Sequence, residues 1–390
     1  MNITVFNPNL YVQKNDKFTT GIVYMPVALA YLLSTLKSKY KINLIDLFGL
    51  APKQNRIIGD KIVFGKNISE FNPRKFENTD IFFVYANQVA NHDSVLEITR
   101  YVKKYYNKPV VILENSQAVT AYSLLKVKND FLNAGVDYLI IGDLEKTTEN
   151  FLNCFFNNKN IELVKGLIGK NFENSEIDFN EQLDIFKFPA WEFFPLKNYW
   201  ELGYAHGPLS SDKYLPILTS RGCPYPCNFC VVPFTNSRKW RSRSPKSIVD
   251  EIKYCMQKFD VKEFHLEDLN PTVNDKRTKS LCEEIIKQKI KIKWKIVAGT
   301  KVESIKDERT VQLMSKAGCT YVSISPESGS KDLMKKIDKP FNYDHALKII
   351  DTMNKNKIFT QACFVIGFPG ETNEDIKKTR KMIFDLTIKG

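Results

Sequence analysis

The first 154 residues alternate short apolar runs with amphipathic ones. Runs rich in Ile, Val, Phe and Leu predict strands at Ile3–Phe6, Ile42–Leu47, Asp80–Tyr85, Val110–Leu113 and Tyr138–Ile141. The helical periodicity between them is clearest over Ser94–Tyr106. Apolar strands that alternate with helices predict a parallel sheet covered on both faces. We therefore expect a doubly wound α/β fold over residues 1–154, with its ligand at the carboxyl ends of the strands.

Residues 155–213 lack a steady alternation. The stretch from Phe188 to Pro195 contains four aromatic residues and two prolines. A free linker would not carry so many aromatic side chains. The sequence therefore predicts an ordered connector that packs against both halves of the chain.

A second alternation of strands and helices begins at Tyr214. The predicted strands are Leu215–Thr219, Glu263–Leu266, Lys293–Ala298, Tyr321–Ser325 and Thr360–Ile366. The predicted helices are Pro245–Lys258, Lys276–Gln288, Asp307–Lys316, Tyr343–Lys355 and Asn373–Leu386. Repeated strand–helix units of this length predict a barrel-like α/β domain over residues 214–390, with its site at the carboxyl ends of the strands.

Composition and charge exclude several classes of protein. Apolar residues make up 43% of the chain, as in folded globular proteins. The net charge of +13 is spread over predicted helix faces, without a basic tail or arm, which argues against a nucleic-acid partner. The longest apolar stretch, Val23–Leu33, contains Pro26 and is too short to span a bilayer. Because neither a secretion signal nor a disulfide framework is evident, we expect a cytoplasmic protein.

Three of the eight cysteines lie in one loop, directly after the first strand of the second half. The loop reads Cys223-Pro-Tyr-Pro-Cys227-Asn-Phe-Cys230, and its two prolines exclude a regular helix. Thiolates are the ligands of iron–sulfur clusters, and a closed 4Fe–4S cluster takes four of them. With three ligands, one iron is left open to bind another molecule. A structural zinc site is the alternative, but such sites require four protein ligands in paired spacings.

The C-x3-C-x2-C spacing with an aromatic residue before the last cysteine resembles the radical S-adenosylmethionine (SAM) superfamily. The resemblance covers the chain from about Tyr214 to its end. It implies that Cys223, Cys227 and Cys230 hold a 4Fe–4S cluster whose open iron binds the amino and carboxylate groups of SAM. An electron from the cluster then cleaves SAM to methionine and a 5′-deoxyadenosyl radical.

Polar or small residues end the second, fourth and fifth predicted strands of this domain. The family resemblance implies that SAM contacts Phe229, Glu267, Asp268, Ser325, Glu327, Ile366 and Gly367. The family's usual Gly-Gly-Glu is absent after the second strand. The resemblance therefore leaves open which of Glu267 and Asp268 holds the amino group of SAM. It names no catalytic side chain.

A doubly wound domain ahead of this barrel resembles the cobalamin-binding class of the superfamily. The run from Gly142 to Thr147 resembles the Gly-Glu-Gly-Glu-x-Thr run that follows the fifth strand of that domain, and the aromatic connector is similar as well. The resemblance implies a cobalamin bound by Asn87, Asn115, Ser116, Gly142, Glu145 and Thr147.

Two departures from the cobalamin-binding pattern bear on this expectation. Glu114-Asn115-Ser116 replaces the glycine pair that lets the cobalamin tail lie against the backbone. The Asp-x-His-x-x-Gly motif of a histidine ligand is absent, and His92 is the one histidine in this half. We interpret His92 as a residue at a helix start rather than as the lower ligand of cobalt.

Three classes of function compete at this point. The first is a cobalamin-dependent radical SAM enzyme acting on an unactivated carbon of a small-molecule or lipid-like substrate, either by methyl transfer or by oxidation or ring formation. It would need an electron donor such as flavodoxin or ferredoxin. The second is a methylthiotransferase, which would require a second cysteine-ligated cluster, whereas the first half contains only Cys154. The third is a cobalamin or redox sensor, which would not need an open iron.

The predicted barrel has five strand–helix units, whereas the family's (β/α)6 barrel has six. The fifth predicted helix ends at Leu386, four residues before the last residue of the chain. We therefore expect a partial barrel from a longer protein, because a parallel sheet that stops early leaves an unpaired edge.

Overall fold

The computed structural model describes residues 1–15 and 23–389, and the chain divides into two compact units. The first comprises Met1–Glu181 and Ile185–Asp212, and the second comprises Gln182–Asp184 and Lys213–Gly390. Most of the segment that was predicted as a connector therefore belongs to the first unit. No helix among the described residues has the length and apolar character needed to cross a membrane.

The first unit is built on a seven-stranded sheet in the order β10-β9-β8-β7-β6-β1-β3, with a small second sheet of β2, β5 and β4. The strands among its described residues are β1 (Asn2–Asn7), β2 (Leu10–Gln13), β3 (Lys41–Asp46), β4 (Asn55–Ile58), β5 (Lys61–Phe64), β6 (Ile81–Ala86), β7 (Val110–Glu114), β8 (Tyr138–Ile140), β9 (Leu167–Gly169) and β10 (Glu173–Asn174). All five predicted strands are confirmed as β1, β3, β6, β7 and β8, and they are parallel.

The order of these five parallel strands identifies the ligand-binding edge of the first unit. Counted along the chain, they are arranged 2-1-3-4-5, which is a doubly wound order. The winding direction reverses between β1 and β6. In such sheets the crevice outside the carboxyl ends of the strands at the reversal is where ligands bind. Asn7 ends β1 and Asn87 follows β6, so both lie at this point.

Helices cover the sheet of the first unit. They are α1 (Val27–Leu36), α2 (Leu47–Leu50), α3 (His92–Tyr105), α4 (Leu124–Asn133), α5 (Leu144–Phe156) and α6 (Leu196–Trp200). The apolar stripe of α3 packs into one buried cluster with Phe82 and Val84 of β6. Burial of both strand faces explains why the strands are continuously apolar in sequence.

Two features of the first unit were missed in the sequence prediction. Strands β9 and β10 extend the sheet in the antiparallel sense beyond β8. Strands β4 and β5 form a hairpin around Gly59-Asp60, and Gly59 has φ +60°. A glycine followed by aspartate between two apolar runs is a hairpin signal, because glycine adopts positive φ without a steric penalty.

The second unit contains five parallel strands in chain order, β11-β14-β15-β16-β17, and a separate pair β12–β13. The strands are β11 (Tyr214–Ile217), β12 (Ser220–Arg221), β13 (Arg241–Ser242), β14 (Glu263–Leu266), β15 (Lys293–Thr300), β16 (Cys319–Glu327) and β17 (Phe359–Phe364). The helices are α7 (Val232–Asn236), α8 (Pro245–Phe259), α9 (Asp275–Lys287), α10 (Glu308–Lys316), α11 (Lys331–Lys336), α12 (Tyr343–Lys355) and α13 (Asn373–Lys389). The five predicted strand–helix units are confirmed.

The loops at the carboxyl ends of these strands are fixed by helix caps. Each of the helices α8 to α12 is preceded by a capping residue whose side chain accepts a hydrogen bond from a backbone N–H of the first turn. These residues are Ser244, Asn274, Asp307, Ser330 and Asn342. A side-chain cap of this kind stabilises a helix start by about 1 kcal/mol. The caps therefore hold in position the strand ends that carry the site.

Candidate functional site

The cysteine loop is closed at its base by backbone pairing. Ser220 and Arg221 pair antiparallel with Ser242 and Arg241, so the chain leaves and returns at neighbouring points. Gly222 opens the loop with φ +78°, and a Cβ atom there would lie 1.9 Å from the carbonyl oxygen of Lys239. Only glycine fits this close approach of two backbone segments.

Replacing Gly222 by alanine is expected to open the base of the loop. The added methyl group would overlap a backbone oxygen, which cannot move as a flexible side chain does. We expect the variant to retain less than half of the iron of the wild type after identical reconstitution, as measured by iron content per chain. Alanine at Gly203 is the matched control, because that glycine also has positive φ but has open space around it. Equal iron retention in both variants would contradict this account of Gly222.

The three cysteines are half-buried and lie close enough to influence one another's ionisation. Burial raises the pKa of Cys223 to about 11, and burial also raises the pKa values of Cys227 and Cys230. Free thiols are therefore protonated here at neutral pH, and binding of iron would release their protons. The donor set of three soft sulfur atoms on one short loop fits an iron–sulfur cluster.

A site for a single metal ion would require a different arrangement of ligands from that of an iron–sulfur cluster. Within residues 1–15 and 23–389, no three His, Cys, Asp or Glu side chains converge as ligands of one metal ion. A 4Fe–4S cluster instead takes each thiolate on a different iron.

Helix α11 and the segment after it hold the outer part of the cysteine loop. Asn228 donates from its side chain to the carbonyl oxygen of Lys336 at 2.7 Å and from its backbone to Ile337 at 3.3 Å. The ring of Phe229 packs edge-on against Phe368, with the ring centroids 5.3 Å apart. These contacts bring the loop beside the strand end of β17, where Ile366 and Gly367 lie. Ile366 is exposed, and the Gly367 N–H donates to Glu371.

Lys339 connects Glu327 with the cysteine loop, and the sequence prediction missed it. Its ammonium group pairs with the Glu327 carboxylate and lies 6.0 Å from the ring centroid of Phe229. Glu327 is buried and has φ +61°. This backbone conformation is energetically unfavourable for a residue that carries a side chain. The pair spans 12 positions along the chain, and only the β16–α11–loop connection brings its members together.

The two carboxylates after β14 have different environments. Oδ1 of Asp268 accepts hydrogen bonds from the Thr219 backbone, the Thr219 hydroxyl and the Ser220 hydroxyl at 3.0, 2.7 and 2.6 Å. Asp268 is completely buried, and burial raises the pKa of its carboxyl group, whereas the nearby Arg277 and the hydrogen bonds from Ser220 and Thr219 lower that pKa. Its carboxylate therefore positions the segment ahead of the cysteine loop, and a contact between Asp268 and SAM stays a prediction.

Glu267 is half-buried, and its carboxylate makes no hydrogen bond or ion pair with the described residues. Burial raises the pKa of Glu267 well above its ordinary value, and the neighbouring Asp268 raises it further. A cationic ligand group beside it would reverse that shift. Of the two candidates left open by the sequence, Glu267 is the one with an available carboxylate. Ser325, also predicted to contact SAM, is half-buried near the carboxyl end of β16.

The residues predicted to bind cobalamin lie at the carboxyl edge of the first sheet. Asn87 and Asn115 are half-buried and adjacent, because the Asn115 side chain donates to the Asn87 carbonyl oxygen at 2.9 Å. Ser116 is buried and donates to the Gly142 carbonyl oxygen at 2.9 Å. Ile177 fills the space beside Gly142, since a Cβ on that glycine would lie 2.4 Å from it.

Two further residues of that prediction lie on α5 and are buried. Glu145 is 2% exposed and Thr147 is 1% exposed. Their expected contact with cobalamin stays a prediction. His92, the alternative cobalt ligand, packs against Phe131 with ring centroids 5.0 Å apart and hydrogen-bonds to the Tyr122 hydroxyl at 3.3 Å. These contacts agree with its interpretation as a residue at a helix start.

Comparison with known proteins bears directly on the second unit. Residues 217–383 match the model of the radical SAM superfamily. The uncharacterized methyltransferase PH0819 of Pyrococcus horikoshii is 25% identical over 379 residues, which are 95% of this chain and 76% of that protein. The anaerobic magnesium-protoporphyrin IX monomethyl ester cyclase of Rubrivivax gelatinosus is 34% identical over 187 residues, which are 48% of this chain and 33% of the cyclase.

A solved structure matches nearly the whole chain. The radical SAM methyltransferase TsrM from Kitasatospora setae, with tryptophan and a SAM analogue bound, gives a TM-score of 0.74 at 16% identity and covers 99% of this chain and 71% of its own. A second structure of TsrM contains cobalamin and a 4Fe–4S cluster. At this identity the likeness concerns the fold alone. Residues 217–383 therefore form the radical SAM domain of an enzyme, and the chain shares the fold of TsrM over 99% of its length.

Proposed function

We propose that this enzyme transfers a methyl group to an unactivated carbon of a small-molecule or lipid-like substrate and uses cobalamin in doing so. The proposal rests on the three-cysteine loop that follows β11. The chain that carries this loop shares the fold of a cobalamin-containing methyltransferase over 99% of its length. The name of the P. horikoshii relative supports methyl transfer as well. A small electron-donor protein such as flavodoxin or ferredoxin belongs to the proposal.

The residues of the second unit divide into cluster ligands and groups that orient SAM. When bound, the cluster supplies the electron that cleaves SAM, and cobalamin supplies the methyl group. Cys223, Cys227 and Cys230 would each hold one iron and leave the fourth open. Glu267 would accept hydrogen bonds from the amino group of SAM. Lys339, which is paired with Glu327, also places its ammonium group beside the loop, where it can donate a hydrogen bond to an approaching carboxylate.

The edge of the first sheet would hold cobalamin. Asn87 lies where the winding of the sheet reverses, and Asn115 lies next to it. Both amides are half-buried, so they can exchange some internal hydrogen bonds for bonds to a ligand. The base of the site would be formed by backbone and packing contacts of Gly142, Ser116, Glu145 and Thr147.

The reconstituted protein is expected to bind about one cobalamin per chain. Asn115→Ala should weaken this binding roughly tenfold, because one or two hydrogen bonds to the ligand are lost. Cobalamin absorbance retained after anaerobic gel filtration measures the binding. Asn78→Ala, which changes an exposed asparagine elsewhere in the first unit, should bind like the wild type. Cobalamin binding that is absent, or that is equal in both variants, contradicts the proposed site.

Methyl transfer is tested with SAM that carries an isotopically labelled methyl group. The protein is reconstituted anaerobically with iron, sulfide and cobalamin and incubated with a reductant and small-molecule extracts of cells. We expect 5′-deoxyadenosine, S-adenosylhomocysteine and a labelled extract component, detected by mass spectrometry. Absence of S-adenosylhomocysteine and of a labelled extract component overturns the proposal of methyl transfer.

Oxidation or ring formation without methyl transfer is the second candidate. It is favoured by the identity of 34% to the R. gelatinosus cyclase, although the chain spans only 33% of that protein's length. In the same experiment this activity would give 5′-deoxyadenosine without S-adenosylhomocysteine or a labelled product.

A further inference from the structure

The second unit contains a cavity of about 790 Å³ beside α11, α12 and α13. It begins at Ser328 and Gly329, directly after Glu327, and continues along the segment after Lys339. None of the cluster cysteines or predicted SAM contacts within the described chain lines it. Its volume is in the range of cavities that bind small molecules. The cavity is therefore next to the SAM site but separate from it.

The cavity has a strongly cationic rim. Five lysines line it against two carboxylates; the lysines are Lys301, Lys331, Lys335, Lys378 and Lys381. Lys381 pairs with Asp385 at 2.7 Å. The other four form no ion pair with any described residue. These four ammonium groups outnumber the two carboxylates of the lining and repel one another, and an anionic ligand would relieve this repulsion.

The remaining wall of the cavity is largely apolar. Met334, Phe341, Tyr343 and Met382 line it, and Met334 and Met382 are almost completely buried. Methionine side chains adapt to ligands of irregular shape. Inorganic phosphate alone would leave this apolar surface in contact with water, so a ligand with an apolar body fits better.

One carboxylate oxygen in the lining lacks a partner. Oε1 of Glu303 accepts the backbone N–H of Asn342 at 2.7 Å, whereas its buried Oε2 has no hydrogen-bond partner in the described chain. A buried acceptor without a partner is energetically unfavourable. A hydroxyl or N–H group of a ligand would satisfy it.

We propose that this cavity binds an anionic amphipathic molecule, with carboxylate, phosphate or sulfonate groups at the lysines, an apolar body on the methionine and aromatic wall, and a hydrogen-bond donor at Glu303. The site goes beyond the proposed function, since it contains none of the residues that cleave SAM. Binding to it is measured without turnover, so the two proposals fail independently.

The experiment uses the full chain and two fluorescent probes. Bis-ANS carries two sulfonates, aromatic rings and two N–H donors, whereas Nile red is apolar and uncharged. The cavity variant changes Lys331, Lys335 and Lys378 to glutamine. We expect it to bind bis-ANS roughly tenfold more weakly, because three exposed charge contacts are lost, and to bind Nile red unchanged.

A matched variant changes Lys276, Lys287 and Lys291 to glutamine. These three lysines are also exposed, belong to the same unit and do not line the cavity. We expect it to bind both probes like the wild type. Equal loss of bis-ANS binding in the two variants would attribute the effect to overall charge and overturn the site. Unchanged bis-ANS binding by the cavity variant would overturn it as well.

Discussion

Replacing Cys227 by alanine is expected to abolish both cluster binding and the formation of 5′-deoxyadenosine. A cluster already held by only three thiolates has no spare ligand, and no fourth cysteine lies in the loop. Iron and acid-labile sulfide per chain, the visible absorbance of the cluster and 5′-deoxyadenosine after addition of a reductant measure the loss. Cys223→Ala and Cys230→Ala should behave alike.

Cys154→Ala is the matched control for these variants. Cys154 is half-buried like the loop cysteines but lies on α5 of the first unit. It should retain the full cluster and the full yield of 5′-deoxyadenosine. A Cys227→Ala protein with wild-type iron content and SAM cleavage would show that the loop is not the cluster site.

Replacing Asp268 by alanine is expected to destabilise the second unit by roughly 3 kcal/mol. The change removes an acceptor of hydrogen bonds from Thr219 and Ser220 and leaves the buried Arg277 without its countercharge. Urea unfolding of the iron-free protein, followed by circular dichroism, measures the effect. The Asp268→Asn variant should lose less stability, because its amide oxygen can still accept some of these hydrogen bonds.

An exposed aspartate of the same unit serves as the control. Asp250 pairs with Lys246 on the surface of α8, and its replacement by alanine should change stability by less than about 1 kcal/mol. A second measurement separates positioning from ligand binding. If Asp268→Ala kept its stability and lost only affinity for SAM, Asp268 would be a SAM ligand and not a positioning residue.

Local patterns in the sequence were sufficient to predict the parallel strands of both units and the cysteine loop. The apolar runs that became β1, β6 and β7 are buried on both faces, and this burial is what makes them continuous in sequence. The prolines and cysteines of the loop are likewise contiguous. The hairpin at Gly59-Asp60 carried a recognisable turn signal, but its strands of four residues are too short for their alternation to be distinctive.

Long-range pairs could not be predicted from a single sequence. Asp268 and Thr219 are 49 positions apart, and the parallel pairing of β11 with β14 brings them together. Lys295 is a similar case, since a lysine in a strand is usually solvent-exposed. It is instead fully buried and pairs with Glu263 at 2.6 Å. Such contacts depend on strand register, which local propensity does not determine.

The short pair β12–β13 has a consequence for the order of assembly. Because backbone pairing joins Arg221 to Arg241, we expect the entropy of closing the intervening loop to be lost when the polypeptide folds, before iron binds. Iron is then expected to enter a loop that is already closed, unlike in small zinc domains that fold only around their ion. If the loop closes before iron binds, the backbone amides of this pair should exchange their hydrogens slowly in iron-free protein. Rapid exchange there would mean that the cluster itself organises the loop.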